Sequence, residues 1–139
     1  MLKLADVVFV SKDYIRKKLE LAGAAEFFKT LRALWQDDWR PRAIVCPWGA
    51  DGVYYMDGAT HAEHHAATTS LDQTVDSVGA GDTFIGTALA AFAHSVPLHD
   101  TARVACRVAT AKCGQHGFRL SSELRDEVVS LLQTHGQCG

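Results

Sequence analysis

Two short apolar runs do most to limit the folds open to this chain: Ala5-Asp6-Val7-Val8-Phe9-Val10 and Ala43-Ile44-Val45-Cys46. Both are rich in β-branched residues and neither alternates polar with apolar side chains, which suits strands buried on both faces, as in a parallel sheet. Between them Ala24, Phe27, Phe28, Leu31, Leu34 and Trp35 recur at helical spacing. Ala24 to Trp35 is therefore expected to be an amphipathic helix with one face on the sheet. A Gly49-Ala50-Asp51-Gly52 turn follows, then a strand Val53-Tyr54-Tyr55-Met56, a hairpin signal at Asp57-Gly58 and a returning strand from Thr60 to Ala66.

Farther along the pattern turns helical. Phe84, Ile85, Ala88, Leu89 and Phe92 share one helical face, and Val104, Ala105, Val108 and Ala109 share another. Leu124, Val128, Val129, Leu131 and Leu132 mark a last helix, with Ser121 or Ser122 as its cap. The order strand, helix, strand, hairpin, helices argues an α/β fold in layers.

At 139 residues, 47% hydrophobic and 22% charged, the chain has the make-up of one ordinary globular domain. A net charge of −2 leaves no basic footprint for nucleic acid or an anionic membrane, so a ligand is expected in a pocket. No apolar run approaches the roughly 18 residues of a membrane span, and Met1 to Asp6 lacks the regions of a signal peptide. A cytoplasmic location is expected. Cys46, Cys106, Cys113 and Cys138 contain no C-x-x-C pair, which argues reduced thiols over a zinc ribbon or a disulfide scaffold.

The chemistry concentrates in Val75-Asp76-Ser77-Val78-Gly79-Ala80-Gly81-Asp82-Thr83-Phe84. Amides at a helix N-terminus lack intrahelical partners and sit at the positive end of the macrodipole, and Gly79, Ala80 and Gly81 let that backbone approach an anion closely. Two better-known phosphate loops are excluded by counting. Phe84 stands where a dinucleotide fingerprint from Gly79 needs its third glycine, and a P-loop from Gly81 reaches Gly86 but then meets Thr87 with no lysine. Asp82, in the first helical turn, could take a proton from an attacking hydroxyl beside the bound anion. It could equally be a favourable first-turn acid, and the residues alone leave both open.

The stretch Asp76 to Phe84 resembles the second signature of the ribokinase-like (pfkB) carbohydrate kinases, D-[ST]-x-G-A-G-D-x-F. Ala5 to Asp13, Cys46-Pro47-Trp48-Gly49-Ala50-Asp51-Gly52 and Ala111-Lys112-Cys113-Gly114-Gln115-His116-Gly117-Phe118 are similar, in the same order, to the ketohexokinase branch of that family. The resemblance implies a three-layer ribokinase-like fold, with a mostly parallel sheet flanked by helices. It also implies ATP-dependent phosphorylation of a sugar hydroxyl, with fructose to fructose 1-phosphate as the nearest reaction. Asp82 would be the general base, and the backbone of Gly79, Ala80, Gly81 and Asp82 the anion hole. Gly49, Ala50, Asp51 and Gly52 would line the nucleotide, with Cys106, Cys113 and Gly114 near the adenine.

Implied cofactors are ATP with Mg2+, and K+ as a further cation that Asp76 would help hold; a loop-bracing role for Asp76 is the alternative. Implied partners are a sugar and ATP, and an oligomer of the full-length protein is compatible with the family. The family's first glycine signature, sugar lid and asparagine-and-glutamate magnesium motif are not found. Residues 1–139 are therefore expected to be one partial pfkB domain, its C-terminal nucleotide-binding half, inactive on its own. The alternatives are a non-catalytic nucleotide-binding fragment and a pfkB kinase for ribose or adenosine.

Other residues invite functional readings beside plainer ones. His61, Glu63, His64 and His65 could ligate a metal but match no known zinc spacing, and an exposed polar strand explains them as well. On a strand, His61 and His65 would share a face opposite His64. Cys113 beside Lys112 could be a reactive thiolate or a small apolar filler. Asp51 could contact a sugar or ribose, or simply suit its turn. Trp35, Trp39 and Trp48 are not spaced as a stacking platform, so packing is expected for each.

Overall fold

A computed structural model describes residues 5–35, 41–69, 71 and 73–136. The chain divides into two compact units, Met1–Ala66 and Ala67–Gly139. No helix among the described residues is long and apolar enough to cross a membrane.

The first unit is a four-stranded sheet in the order β1 (Val7–Phe9), β2 (Ala43–Pro47), β3 (Val53–Asp57) and β4 (Glu63–Ala66). A π-helical turn at Tyr14–Lys18 and helix α1 (Ala24–Leu34) lie between β1 and β2. That crossover lets β2 run parallel to β1, with Val8 opposite Ile44. The links after β2 and β3 are too short for a crossover, so β2–β3 and β3–β4 pair antiparallel. The α/β class expected from the sequence holds, but this sheet is mixed, with one parallel pairing in three.

Strand β2 is central and buried from Ala43 to Cys46, as its continuous apolar run predicts. β1 differs from expectation. It spans only three residues and is half-buried, and among the described residues it pairs on one side alone. Helix α1 turns Ala24, Phe27 and Phe28 onto Ile15, Ile44, Cys46, Trp48 and Met56. Alternate residues of β2 supply Ile44 and Cys46 to this one face, and the period-3.6 stripe of α1 covers them. The Glu26 carboxylate accepts the Ala22 amide at 2.6 Å, which satisfies a donor just ahead of the helix.

The hairpin between β3 and β4 is longer than the Asp57-Gly58 signal suggests. The Asp57 carboxylate accepts the Ala59 and Thr60 amides, each at 2.8 Å, and the Thr60 hydroxyl at 3.1 Å. Those bonds hold its pKa below the usual value, the Thr60 amide contributing most. His61 then takes a left-handed φ of 60° and the strand resumes at Glu63. Gly58 is required by space. A Cβ there would lie 1.6 Å from the Pro41 carbonyl oxygen.

The second unit is helical: α2 (Ala80–Ala93), α3 (Leu98–Cys113) and α4 (Ser122–Gly136). Ala91, Val96, Val104, Val108 and Leu124 form its core, joined by Val128, Leu131 and Leu132. Ser121 caps α4, its hydroxyl accepting the Leu124 amide at 3.2 Å. α2 buries Phe84, Ala88 and Ala91, whereas Leu89, expected on that face, is half exposed.

Gly58→Ala is expected to destabilise the chain by about 2 kcal/mol, because backbone must yield to the new methyl. Urea unfolding measures this; an unchanged midpoint would show that the Pro41 contact gives way freely.

Candidate active site

Gly79 adopts φ +78°, a left-handed turn that places the chain directly into α2. A Cβ at Gly79 would meet the Phe118 ring at 2.7 Å, so both the torsion and the space favour glycine. The Ala80 amide bonds back to the Ser77 carbonyl at 3.2 Å, and the first full helical bond runs from the Thr83 amide to the Gly79 carbonyl at 2.9 Å. The Gly81 and Asp82 amides precede that bond and have no helical acceptor upstream. Space beside Gly81 is open, with no atom within 4 Å of where a Cβ would lie. Asp82 is exposed in the same first turn. The turn thus combines two outward amides, the positive end of a 14-residue helix and a carboxylate at one spot.

What holds this turn in place is Asp76. Its carboxylate accepts the Val78 amide at 2.9 Å on one oxygen and the Lys112 ammonium at 2.7 Å on the other. The same ammonium donates to the Asp76 carbonyl at 3.0 Å. The Val75 and Asp76 amides in turn donate to the Cys113 carbonyl at 2.8 and 3.1 Å. Lys112 is only 1% exposed, and its ammonium lies 5.2 Å from the Phe118 ring centroid. The Lys112 hydrogen bond first, then the Val78 amide, hold the Asp76 pKa below its ordinary value of 3.8. Of the two roles expected for Asp76, loop bracing is the one this geometry displays.

Lys112 was not singled out by sequence reasoning. A signal existed: Val104, Val108 and Lys112 form an i, i+4 row on the buried face of α3, and a lysine in such a row needs a partner.

In the second unit, Cys113 and the C-cap Gly114 adjoin the glycine loop through the Cys113 carbonyl. Cys106 is buried on α3, where burial pushes its thiol up to about 11. In the first unit, Gly49–Asp51 form a 3-10 turn, with φ +66° at Gly49 and +95° at Gly52. The Gly52 amide bonds to the Gly49 carbonyl and the Trp48 amide to the Gly52 carbonyl. Ala50 and Asp51 are exposed, and the Asp51 carboxylate faces Lys12 at 4.0 Å.

The histidines stack on aromatic rings. His61 lies 5.0 Å from Trp35, His64 5.2 Å from Tyr55 and His65 4.4 Å from Tyr54, between ring centroids. His61 sits in the turn, not on β4, so the expected shared face with His65 does not arise. Among the described residues no three His, Cys, Asp or Glu side chains converge as a metal site. Trp48 packs edge-on against Tyr54. Cys46 is buried, its thiol pushed up to about 12, and Cys46, Cys106 and Cys113 are free thiols. Trp39 and Cys138 lie outside the described residues.

A carboxylate with a depressed folded pKa stabilises fully above its unfolded value, and that contribution is lost as pH falls through the folded value. Asp76→Asn should therefore lower the urea midpoint near neutral pH, and the difference from the parent chain should shrink and vanish as pH falls through the lowered folded value of Asp76. A constant difference across that acid range would exclude the Asp76 carboxylate as its source.

The family model of the pfkB family carbohydrate kinases matches residues 1–125. Ketohexokinase of Mus musculus is 33% identical over 113 residues, which cover 81% of this chain and 36% of that protein. An adenosine kinase from Sinorhizobium meliloti superposes with a TM-score of 0.70 at 19% identity, over 90% of this chain and 36% of its own. A candidate ribokinase II from Escherichia coli, in complex with ATP and Mg2+, superposes with a TM-score of 0.68 at 18% identity, over 96% of this chain and 41% of its own. The chain thus spans well under half the length of these relatives and shares the fold of ribokinase-like kinases. With the glycine turn, its buried brace and a family match over nearly the whole length, the chain belongs to the pfkB family of carbohydrate kinases.

Proposed function

We propose that this chain is the nucleotide-side half of an ATP-dependent sugar kinase, with fructose to fructose 1-phosphate as its nearest reaction. The observation that carries the proposal is the α2 N-terminus, where two outward amides and the Asp82 carboxylate share one helical turn. In phosphoryl transfer a protein mainly positions groups and stabilises charge. The Gly79 to Asp82 backbone would hold the transferred phosphoryl, the Gly81 and Asp82 amides donating to it, while Asp82 takes the proton of the attacking hydroxyl.

Gly49 to Gly52 would line the nucleotide, and Cys106, Cys113 and Gly114 would lie on the adenine side. Mg2+ would neutralise charge on the ATP phosphates, and because such ions are commonly held by phosphates with one or two carboxylates, a dedicated protein cage is not required. Free, reduced thiols suit a cytoplasmic setting. Fructose as the sugar is supported by the likeness of Ala5 to Asp13, Cys46 to Gly52 and Ala111 to Phe118 to the ketohexokinase branch and by the 33% identity to a ketohexokinase.

A coupled assay for ADP release with fructose, ribose and adenosine tests this, on the 139-residue chain and on a longer natural form carrying a sugar-binding half. Turnover is expected for the longer form, on fructose, and Asp82→Asn should lower it about 10³-fold, since the amide cannot accept the proton. Undiminished turnover in that variant removes Asp82 as the base. Preference for ribose or adenosine reassigns the substrate, and full turnover by the 139-residue chain alone overturns the half-domain assignment.

A further inference from the structure

The family resemblance implies K+ beside Asp76, and the residues present do not fit one. A monovalent cation held by Asp76 would count a carboxylate oxygen and the main-chain carbonyl of that residue among its several oxygen ligands. Both of those atoms on Asp76 are taken by the Lys112 ammonium, at 2.7 and 3.0 Å. The remaining direction of the ammonium faces the Phe118 ring, 5.2 Å away, a further favourable contact for a cation. The lysine is 1% exposed, so its charge is not free to swing into solvent and vacate the place. A second cation brought to the same oxygens would meet a like charge at close range in a partly buried setting, which disfavours it strongly.

The geometry points to Lys112 as a tethered monovalent cation that sets the glycine loop, so that the anion hole of this chain forms without K+. The chain of contacts is continuous. Lys112 fixes the Asp76 carboxylate and carbonyl, the other carboxylate oxygen fixes the Val78 amide, and Val78 is followed by the left-handed Gly79 that starts α2. From the other side, the Cys113 carbonyl, one residue beyond Lys112, anchors the Val75 and Asp76 amides. One end of α3 thus supplies both the cation and an acceptor for the loop. The other titratable group bearing on Asp76 is His116, whose influence is the weakest of those acting on the carboxylate. Lys112 is a positioning residue here: it touches the loop and not the reacting atoms.

Hydrogen exchange of the 139-residue chain in KCl, against tetramethylammonium chloride of equal ionic strength, reads loop order directly and needs no nucleotide. The Val75, Asp76 and Val78 amides of the parent chain are expected to exchange at the same rate in both salts. In Lys112→Met they should exchange about tenfold faster in tetramethylammonium and slow again in KCl, as K+ enters the vacated place. Lys112→Arg, which keeps a charge, should stay near the parent. Slowing of the parent's amides by K+ overturns the proposal, as does unchanged protection in Lys112→Met; a faster variant that K+ does not rescue reduces the pair to an ordinary ion pair and also overturns it. If Lys112→Met fails to fold, the parent chain and Lys112→Arg still decide.

The inference rests on the proposed anion hole only in its consequence for ligand binding, which calorimetry with Mg-ATP in the two salts measures separately. Equal affinity in both is expected, and tighter binding in K+ counts against the tethered cation. Absence of Mg-ATP binding in either salt would count against the proposed function and leave the exchange rates to judge Lys112.

Discussion

The glycine turn is held by one ion pair, the buried Lys112 ammonium on the partly exposed Asp76 carboxylate. Burying a lysine is costly unless its charge is matched, and here the match is complete enough to hold a loop: carboxylate, carbonyl and aromatic ring all face the ammonium. Because Asp76 is fixed, Val78 is fixed, and because Gly79 tolerates a left-handed φ, the chain enters α2 with the Gly81 and Asp82 amides unspent.

The first unit is organised by a different constraint, the length of its connections. A helix-length crossover makes β1 and β2 parallel, whereas the 3-10 turn Gly49–Asp51 and the Asp57-centred loop return the chain antiparallel. The turn that carries Gly49 to Gly52 is thereby set at the end of the buried β2, on a rigid support. Left-handed torsions at Gly49 and Gly52 form it, with Trp48 packed beside it against Tyr54. A glycine-rich turn on a buried strand suits a surface that must approach a ligand by its backbone.

Much of this was legible in the residues. The apolar run Ala43 to Cys46 announced a buried strand, the stripe from Ala24 announced α1, and the glycines before Asp82 announced a helix with Asp82 in its first turn. What was not legible depended on partners far away in sequence. β1 is half-buried and, among the described residues, stands at one end of the sheet order, which no local pattern encodes. The length of the β3–β4 loop follows from three hydrogen bonds to one carboxylate, Asp57, whose sequence neighbourhood spells a tighter turn. The histidines read as a metal candidate because sequence cannot show that each ring finds a tryptophan or tyrosine face. Lys112 pairs across 36 residues with Asp76, and only its position in the Val104–Val108 row hinted that it was inside.

The central claim is that the start of α2 is an anion hole served by main-chain amides. Amide chemical shifts of the 139-residue chain during titration with Mg-ATP test it most directly. The account predicts that Gly81 and Asp82 move most among the residues of the second unit, downfield, as their amides acquire an acceptor. Saturating Mg-ATP that leaves Gly81 and Asp82 unmoved would contradict it.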